Sequence, residues 1–372
     1  MQTHHPDNER IKRRYLDYLK EANGYSEASL DAVAKALSRF ETYTRYRDFK
    51  AFHPEQAKGF KAKLAAQTNG RTGERLSKAT LYSTMRCLRA FFKWLADKPG
   101  YRSRLEFADA DYFNISENDT RIAKARRETA APTTEQIAHV LATIPSSTVV
   151  EKRNHALIAF AMLTGARDGA LASFKLKHVD LEQKKVLQDA REVDTKRRKT
   201  FTTWFFPVGD EPLRIVEEWI AYLRDALLWG ESDPIFPRTK VAVGPNGTFG
   251  AAGLEREHWS TAQPIREIFR AAFERAGQPY FNPHSFRNTL AQLGERLCTT
   301  PEEFKAWSQN LGHERMLTTF TSYGSVGAAR QAELIRGLAT KDSAPDPQRL
   351  LRDIVQALDK VGWTGLSPSA AS

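Results

Sequence analysis

Apolar positions in this chain fall mostly at helical spacing. Ile11, Tyr15 and Leu19 recur every four residues and predict a first helix. Leu30, Val33, Leu37 and Phe40 give a second, from about Ser26, a clean apolar stripe. His53-Pro54-Glu55 opens a short third helix toward Leu64, and the polar loop from Thr68 to Arg75 follows. A fourth helix starts at Ser77, whose hydroxyl suits an N-cap. Its apolar stripe is Leu81, Met85, Leu88, Phe92 and Leu95, and beside that runs a second stripe of Tyr82, Arg86, Arg89 and Lys93, extended by Lys78. One side is suited to a core and the adjacent side to a phosphate backbone, although a merely solvated basic face has the same pattern.

From Asn114 to Ala131 the periodicity loosens, and Arg121, Lys124, Arg126 and Arg127 precede Pro132, as in an exposed basic linker. A new domain then opens with a capping box, Thr133 and Gln136, ahead of Ile137, Val140, Leu141 and Ile144. His155 to Leu163 is almost wholly apolar and predicts a helix buried on all sides. It ends at Thr164-Gly165-Ala166-Arg167-Asp168-Gly169-Ala170-Leu171, with Gly165 as C-cap and Arg167 at a tight turn, where a charge is costly unless something pairs with it. Val186–Val193 and Phe201–Val208 alternate like strands and predict a β-hairpin whose tip carries Lys196, Arg197, Arg198 and Lys199. A helix from Leu213 to Leu228 follows, then the glycine-rich stretch Val243–Gly253, expected to be a mobile loop, and a helix from Pro264 to Ala276. Asn282-Pro283-His284-Ser285-Phe286-Arg287 reads as a helix start, Asn282 capping and Pro283 in the first turn. His284 and Arg287, three residues apart, share a face at the end of a helix that already favours anions. Pro301 to Gln309 is a short helix closed by Leu311-Gly312-His313; beyond it stand Tyr323, a helical pattern at Ala328–Leu338, and an amphipathic one at Leu350, Ile354, Leu358 and Val361.

Composition narrows the partners. The chain of 372 residues is 41% hydrophobic, enough for two cores, and carries a net charge of +11. That surplus points to a polyanion, most often nucleic acid, with general solubility as the plainer explanation. Two isolated cysteines, Cys87 and Cys298, form neither a disulfide framework nor a zinc motif, which fits a reducing cytosol. No apolar run reaches membrane length, no signal-peptide core opens the chain, and the glycine-rich stretch lacks the Gly-Lys-Ser/Thr ending of a P-loop. His258, His284 and His313 have no carboxylate or cysteine at ligand spacing, which argues against a metal hydrolase.

Taken in order, Arg167 in its TGAR-x-GAL context, Lys196 on the hairpin, His284 and Arg287 of H-x-x-R, His313 of L-G-H, and Tyr323 after a Thr-Thr pair are individually weak motifs and jointly specific. The chain resembles the tyrosine recombinase (phage integrase) family from its helical first domain to Tyr323. The chemistry is coherent on its own terms. A phenol can attack phosphorus as a nucleophile. Two guanidinium forks, Arg167 and Arg287, can grip the non-bridging oxygens. His284 can take the phenol proton, His313 can donate a hydrogen bond to the phosphate, and Lys196, or Lys199 in its place, can protonate the departing 5′ oxygen. With bond energy kept in a 3′-phosphotyrosyl link, neither metal, cofactor nor ATP is called for.

The resemblance implies a mainly α fold with a small β-sheet or hairpin: an all-helical core-binding domain over residues 1–112, a basic linker at 113–131, an α+β catalytic domain at 132–340, and a tail at 341–372 whose amphipathic helix is a candidate for docking on a neighbouring protomer, folding back on its own core being the plainer alternative. It implies double-stranded DNA as partner, four copies assembled on two sites, accessory DNA-bending or directionality proteins, and a cytoplasmic, nucleoid-associated setting of the prokaryotic type. DNA contacts are expected from Lys78, Arg86, Arg89, Lys93, Arg121, Lys124, Arg126, Arg127, Arg197, Arg198 and Lys199. The expected activity is site-specific integration or excision of a mobile element. Type IB topoisomerase-like relaxation and a catalytically inactive DNA-binding relative are the alternatives. Three positions depart from the family pattern: Ala170 stands where an acidic residue is usual, the His313–Tyr323 gap is one residue longer than the commonest spacing, and Phe286 replaces a leucine-like residue.

Overall fold

A computed structural model of the chain describes residues 4–70, 73–125, 130–195, 198–243 and 247–312. His313, Tyr323, the helical patterns at 328–338 and 350–361, Lys196, Arg197, Arg126 and Arg127 lie outside these residues. The chain divides into two compact units, Met1–Arg127 and Glu128–Ser372.

The first unit is helical: α1 (Pro6–Asp17), α2 (Glu27–Thr44), α3 (Pro54–Ala66), α4 (Lys78–Ala96) and α5 (Glu117–Lys124), with a 3₁₀ segment at Phe107–Phe113 between the last two. Ser26 caps α2 and Ser77 caps α4, each accepting the N–H three residues on. The apolar stripes meet in an aromatic core in which Phe40 packs edge-on to Phe60, Phe92 and Phe113 at centroid distances of 5.3, 5.5 and 5.4 Å. Burying each such ring contributes about 1.5–3 kcal/mol. One polar knot sits inside: Asn8, wholly buried, donates to the Arg47 carbonyl at 2.9 Å and accepts from the Phe49 N–H at 3.0 Å, while the buried Glu41 pairs with Lys12. The stretch expected to be an open linker contains α5. It buries no side chain of its own and rests on α4 through the Lys78–Asp119 pair at 2.8 Å and Lys124 over the Tyr82 ring at 5.4 Å.

The second unit is built on α7 (Val149–Thr164), preceded by α6 (Thr134–Thr143) with the Thr133/Gln136 capping box. From Ala156 to Thr164 every α7 residue is buried, as its continuous apolar run requires. Phe160 at its centre meets Phe174 and Phe236 at 5.4 and 5.3 Å. After the single turn α8 (Asp168–Leu171), strands β1 (Val179–Asp180), β2 (Lys185–Gln188) and β3 (Phe201–Trp204) form an antiparallel sheet in that order, with Val186 facing Val179 on one side and Thr203 on the other. The strands are shorter than the alternation suggested: β2 ends at Gln188 and β3 begins at Phe201. Helix α9 (Asp210–Ala221) packs on α7. Where a mobile loop is expected across Val243–Gly253, Val243 and Phe249–Gly253 are strand residues: β4 (Thr239–Val243) and β5 (Phe249–Leu254) pair as an antiparallel hairpin with a bulge between Lys240 and Val241. Its base is held by Arg153, 2% exposed, which donates to the Pro237 carbonyl and, at 3.0 Å, to Thr239 Oγ1. Helices α10 (Gln263–Arg275), α11 (Ser285–Leu297) and α12 (Pro301–Asn310) complete the unit.

Candidate active site

The site is assembled at the end of α7. Gly165 terminates that helix in the left-handed region, φ 57°, with its N–H on the Ala161 carbonyl at 2.9 Å. A side chain there would be strained by φ and would also meet Leu290 Cδ1 at 2.9 Å, so glycine is required twice over. The chain turns at once, and Arg167 takes the extended N-cap position of α8, half-buried. Beside it, Asp168 accepts from Arg266 Nε and Nη2 at 2.8 and 2.6 Å, which fixes the α8 turn to α10.

Helix α11 begins with a tightened turn. Asn282 Oδ1 accepts the Ser285 N–H at 3.2 Å, and Ser285 Oγ donates to the Asn282 carbonyl at 2.6 Å. Asn282 therefore caps the start as its residue type suggests, although the regular helix begins only at Ser285. His284 sits exposed in that turn, and Arg287, one turn on, is 2% exposed. The Arg287 guanidinium donates through Nη1 to the Gly165 carbonyl and through Nη2 to the Leu311 carbonyl. One side chain thus joins three segments that lie far apart in sequence: the turn before Arg167, the H-x-x-R helix, and the Leu311-Gly312 end of α12.

The hairpin is joined to the same place. Asn310 acts as a surrogate strand: its Oδ1 accepts the Trp204 N–H at 2.7 Å and its Nδ2 donates to the Trp204 carbonyl at 2.8 Å. Thr203 Oγ1 donates to the Asn310 carbonyl at 3.1 Å. Gly312, φ 72°, lies so close to the Phe201 ring that a Cβ would meet it at 2.6 Å. The 189–200 connection is tethered at its near end, where Glu192 accepts from Lys177 at 2.9 Å and from His178 Nε2 at 3.0 Å. Those partners hold the Glu192 carboxyl down at about 2. His178 accepts the Lys175 N–H at Nδ1, so the proton it donates to Glu192 is on Nε2. Burial holds this imidazole below its ordinary pKa. Lys199, half-buried, is on the described part of the connection.

Of the expected catalytic set, then, Arg167, His284, Arg287 and the Leu311-Gly312 approach to His313 are brought together by described contacts. Lys196, His313 and Tyr323 fall outside the described residues. Among the expected DNA contacts, three cations on α4 are already engaged within their own unit. Arg89 donates to Asp111 through Nε and Nη2 at 2.9 and 2.8 Å, Lys93 reaches the same carboxylate at 3.2 Å, and Lys78 reaches Asp119. The basic stripe is therefore partly covered by the 107–124 segment rather than open along its length, while Arg86, Arg121, Lys124 and Arg198 are exposed. Sequence reasoning missed Asn310, which belongs to no recognisable spacing. Among the described residues, no three His, Cys, Asp or Glu side chains converge as metal ligands, and no helix is long and apolar enough to cross a membrane.

A helical unit followed by a helical unit with small sheets, and a clustered Arg, His-x-x-Arg and Leu-Gly site in the second, define a tyrosine recombinase. The chain belongs to the phage integrase family: the model of that family matches residues 132–329, and the phage integrase N-terminal SAM-like domain matches residues 13–98. A tyrosine recombinase XerC of Lactobacillus delbrueckii subsp. bulgaricus is 24% identical over 313 residues, 83% of this chain and 92% of that one. The lambda integrase(75-356) dimer bound to a COC' core site superposes with a TM-score of 0.57 at 14% identity, over 86% of this chain and 96% of that one. The Tn1549 transposon integrase in complex with transposon right end DNA does so at 0.54 and 13%, over 89% and 99%. At these identities the likeness to solved structures is one of fold.

Proposed function

We propose that this chain carries out site-specific recombination of DNA, integrating or excising a mobile element, by cutting and rejoining strands through a 3′-phosphotyrosyl link. The observation that carries the reading is the Arg287 brace, which places the Arg167 turn, the His284 helix start and the Leu311-Gly312 segment at one point. In this reading the Tyr323 phenol attacks the scissile phosphorus and its proton passes to His284. Arg167 and Arg287 stabilise the charge gathering on the phosphate oxygens, and His313 adds a hydrogen bond. Lys196 or Lys199 protonates the 5′ oxygen as the P–O5′ bond breaks. Losing one such preorganised donor slows the step by about 10²–10³-fold. The reaction stores its bond energy in the phosphotyrosine, so religation needs no nucleotide. Both units contact duplex DNA, residues 1–112 as a core-binding domain and 132–340 as the catalytic domain. Four copies act on two sites in the cytoplasm, the segment 341–372 docking on a neighbour, with accessory DNA-bending proteins compatible with the scheme.

Covalent capture tests this. The protein is incubated, without metal, with a random duplex library carrying a nick that lets the short 5′ fragment escape, and DNA retained in detergent is counted and sequenced. Capture lost in Tyr323→Phe supports the assignment. Capture retained in that variant removes Tyr323 as nucleophile, and tight binding without capture by the natural chain favours a binding-only protein.

A further inference from the structure

Strand β3 is the outer strand of its sheet, and its free edge is closed by a side chain and a helix end rather than by another strand. Pairing alternates along it. The Phe205 N–H turns inward to the Lys184 carbonyl at 2.8 Å, so Trp204 and Phe206 present their peptide groups outward. Unpaired peptide groups at a sheet edge need partners. The Phe206 N–H donates to the Leu163 carbonyl, in the last turn of α7, at 2.8 Å. Trp204 is met at both its N–H and its carbonyl by the half-buried Asn310 carboxamide, at 2.7 and 2.8 Å. The Asn310 backbone adds a third tie. Its carbonyl accepts from Thr203 Oγ1, a wholly buried hydroxyl that itself accepts from Gln188 Nε2 of β2 at 2.9 Å. These contacts close a ring with the Arg287 brace. The ring runs from the end of α7 through Arg287 to Leu311, back one residue to Asn310, across to Trp204, and through Phe206 to α7 again.

We propose that Asn310 is a positioning residue for strand cleavage: its carboxamide sets β3, and with it the lysine-bearing connection that runs into that strand, in register with the arginines that hold the phosphate. The proposal rests on the function read above. Chain continuity carries the effect, because Lys196 and Lys199 both precede Phe201, where β3 begins, by a few residues. Gly312, against the Phe201 ring, marks the same junction from the side of α12. A general acid must stand within hydrogen-bond reach of the leaving oxygen, and a misplacement of about 1 Å can cost about 100-fold in rate. The step it supports is balanced: the Tyr323 Oη–P bond forms, the P–O5′ bond breaks, the phenol proton goes to His284, and the lysine proton goes to O5′.

The test is Asn310→Leu, which is close in size and loses both hydrogen bonds to Trp204. It is run on the nicked duplex recovered by covalent capture, made once with a normal 5′-bridging oxygen and once with a 5′-bridging sulfur. A thiolate leaves without being protonated, so the sulfur substrate bypasses the acid. On the oxygen substrate, adduct formation is expected to slow about 10- to 100-fold, the cost of a displaced acid. On the sulfur substrate it is expected to match the natural chain, with DNA binding unchanged. Lys196→Ala and Lys199→Ala identify the acid as the one whose loss is likewise confined to oxygen. In that background Asn310→Leu should cost nothing further, because a positioning residue has nothing left to position. Equal rates for Asn310→Leu and the natural chain on both substrates overturn the proposal. So does an equal loss on both, which marks a role in folding or in holding the phosphate, and so does a full additional loss once the lysine is gone. Failure of the natural chain to form an adduct with either substrate instead overturns the recombinase reading, and this proposal with it.

Discussion

Gly294 lies inside α11 directly beneath the indole of Trp307, and replacing it by alanine sets two known effects against each other. An added Cβ would stand 2.6 Å from Trp307 Nε1 and 2.7 and 2.8 Å from two ring carbons. Comfortable contacts of this kind are about 3.5–4.0 Å, so the ring must retreat by about 1 Å. It is poorly placed to do so. The indole N–H donates to the Leu290 carbonyl at 2.9 Å, and the other side of the ring meets Phe206 at a centroid distance of 4.9 Å. Overpacking a rigid group costs about 1–3 kcal/mol, and weakening the buried hydrogen bond adds about 0.5–1.5 kcal/mol. Helix propensity works the other way, alanine being better than glycine by about 1 kcal/mol. The balance is a net loss of about 0.5–3.5 kcal/mol, which for a unit of this size lowers the melting temperature by about 1–14 °C. Calorimetry of Gly294→Ala reads it directly. Trp307→Leu in the same background removes the clashing ring, so the alanine should cost less there than in the natural chain, and the double mutant should be less destabilised than the sum of the two single changes. A Gly294→Ala protein melting above the natural one would refute the reasoning, because propensity would then outweigh a contact claimed to be hard.

Arg287→Lys keeps the charge but loses the fork that spans Gly165 and Leu311; capture should fall at least about 100-fold, and stability by about 2 kcal/mol or more as buried carbonyls lose their donors. Arg167→Lys, at a half-buried turn, should lose capture with a far smaller change in melting temperature, and equal destabilisation of the two would contradict the brace. Asp111→Asn frees Arg89 and Lys93 for phosphates; DNA should bind more tightly, with a salt slope steeper by up to about 2, and an unchanged slope would place the DNA contacts elsewhere. Acid should act in two stages. Burial depresses the pKa of His155, His178 and His258, so the folded state holds fewer protons than the unfolded one and stability falls as pH drops below about 6.5. Asp189 and Glu192, held at about 2 by Arg191 and by Lys177, contribute stability present above the ordinary carboxylate range and lost as pH falls toward 2. A melting temperature flat down to pH 5 would exclude the histidine stage.

The helices legible in the sequence are those with an apolar stripe and a cap: α2 behind Ser26, α4 behind Ser77, α6 behind its capping box, and α7, whose continuous apolar run matches burial on every side. What escaped has no core face to betray it. Helix α5 buries nothing and is held by an ion pair and a ring contact, and the β4–β5 hairpin leaves Val241, Val243 and Phe249 exposed, so neither leaves a periodic trace. The site divides in the same way. Arg167, His284 and Arg287 were legible as residue types at spacings suited to phosphate chemistry. The contacts that unite them were not, because Gly165 and Leu311 offer backbone carbonyls, which every residue carries. The pairing of Arg89 and Lys93 with Asp111 likewise depends on how the chain returns past α4, and no local pattern records that.

The Arg287 brace also changes how descendants of such a chain should be judged. A copy that had ceased to cut DNA would still need a guanidinium there to hold three chain ends together, and selection for a soluble protein would preserve it. Its survival in an inactivated lineage is therefore no sign of retained chemistry. Exposed His284, the proton acceptor of the proposed reaction, is the better gauge of whether a lineage still performs it.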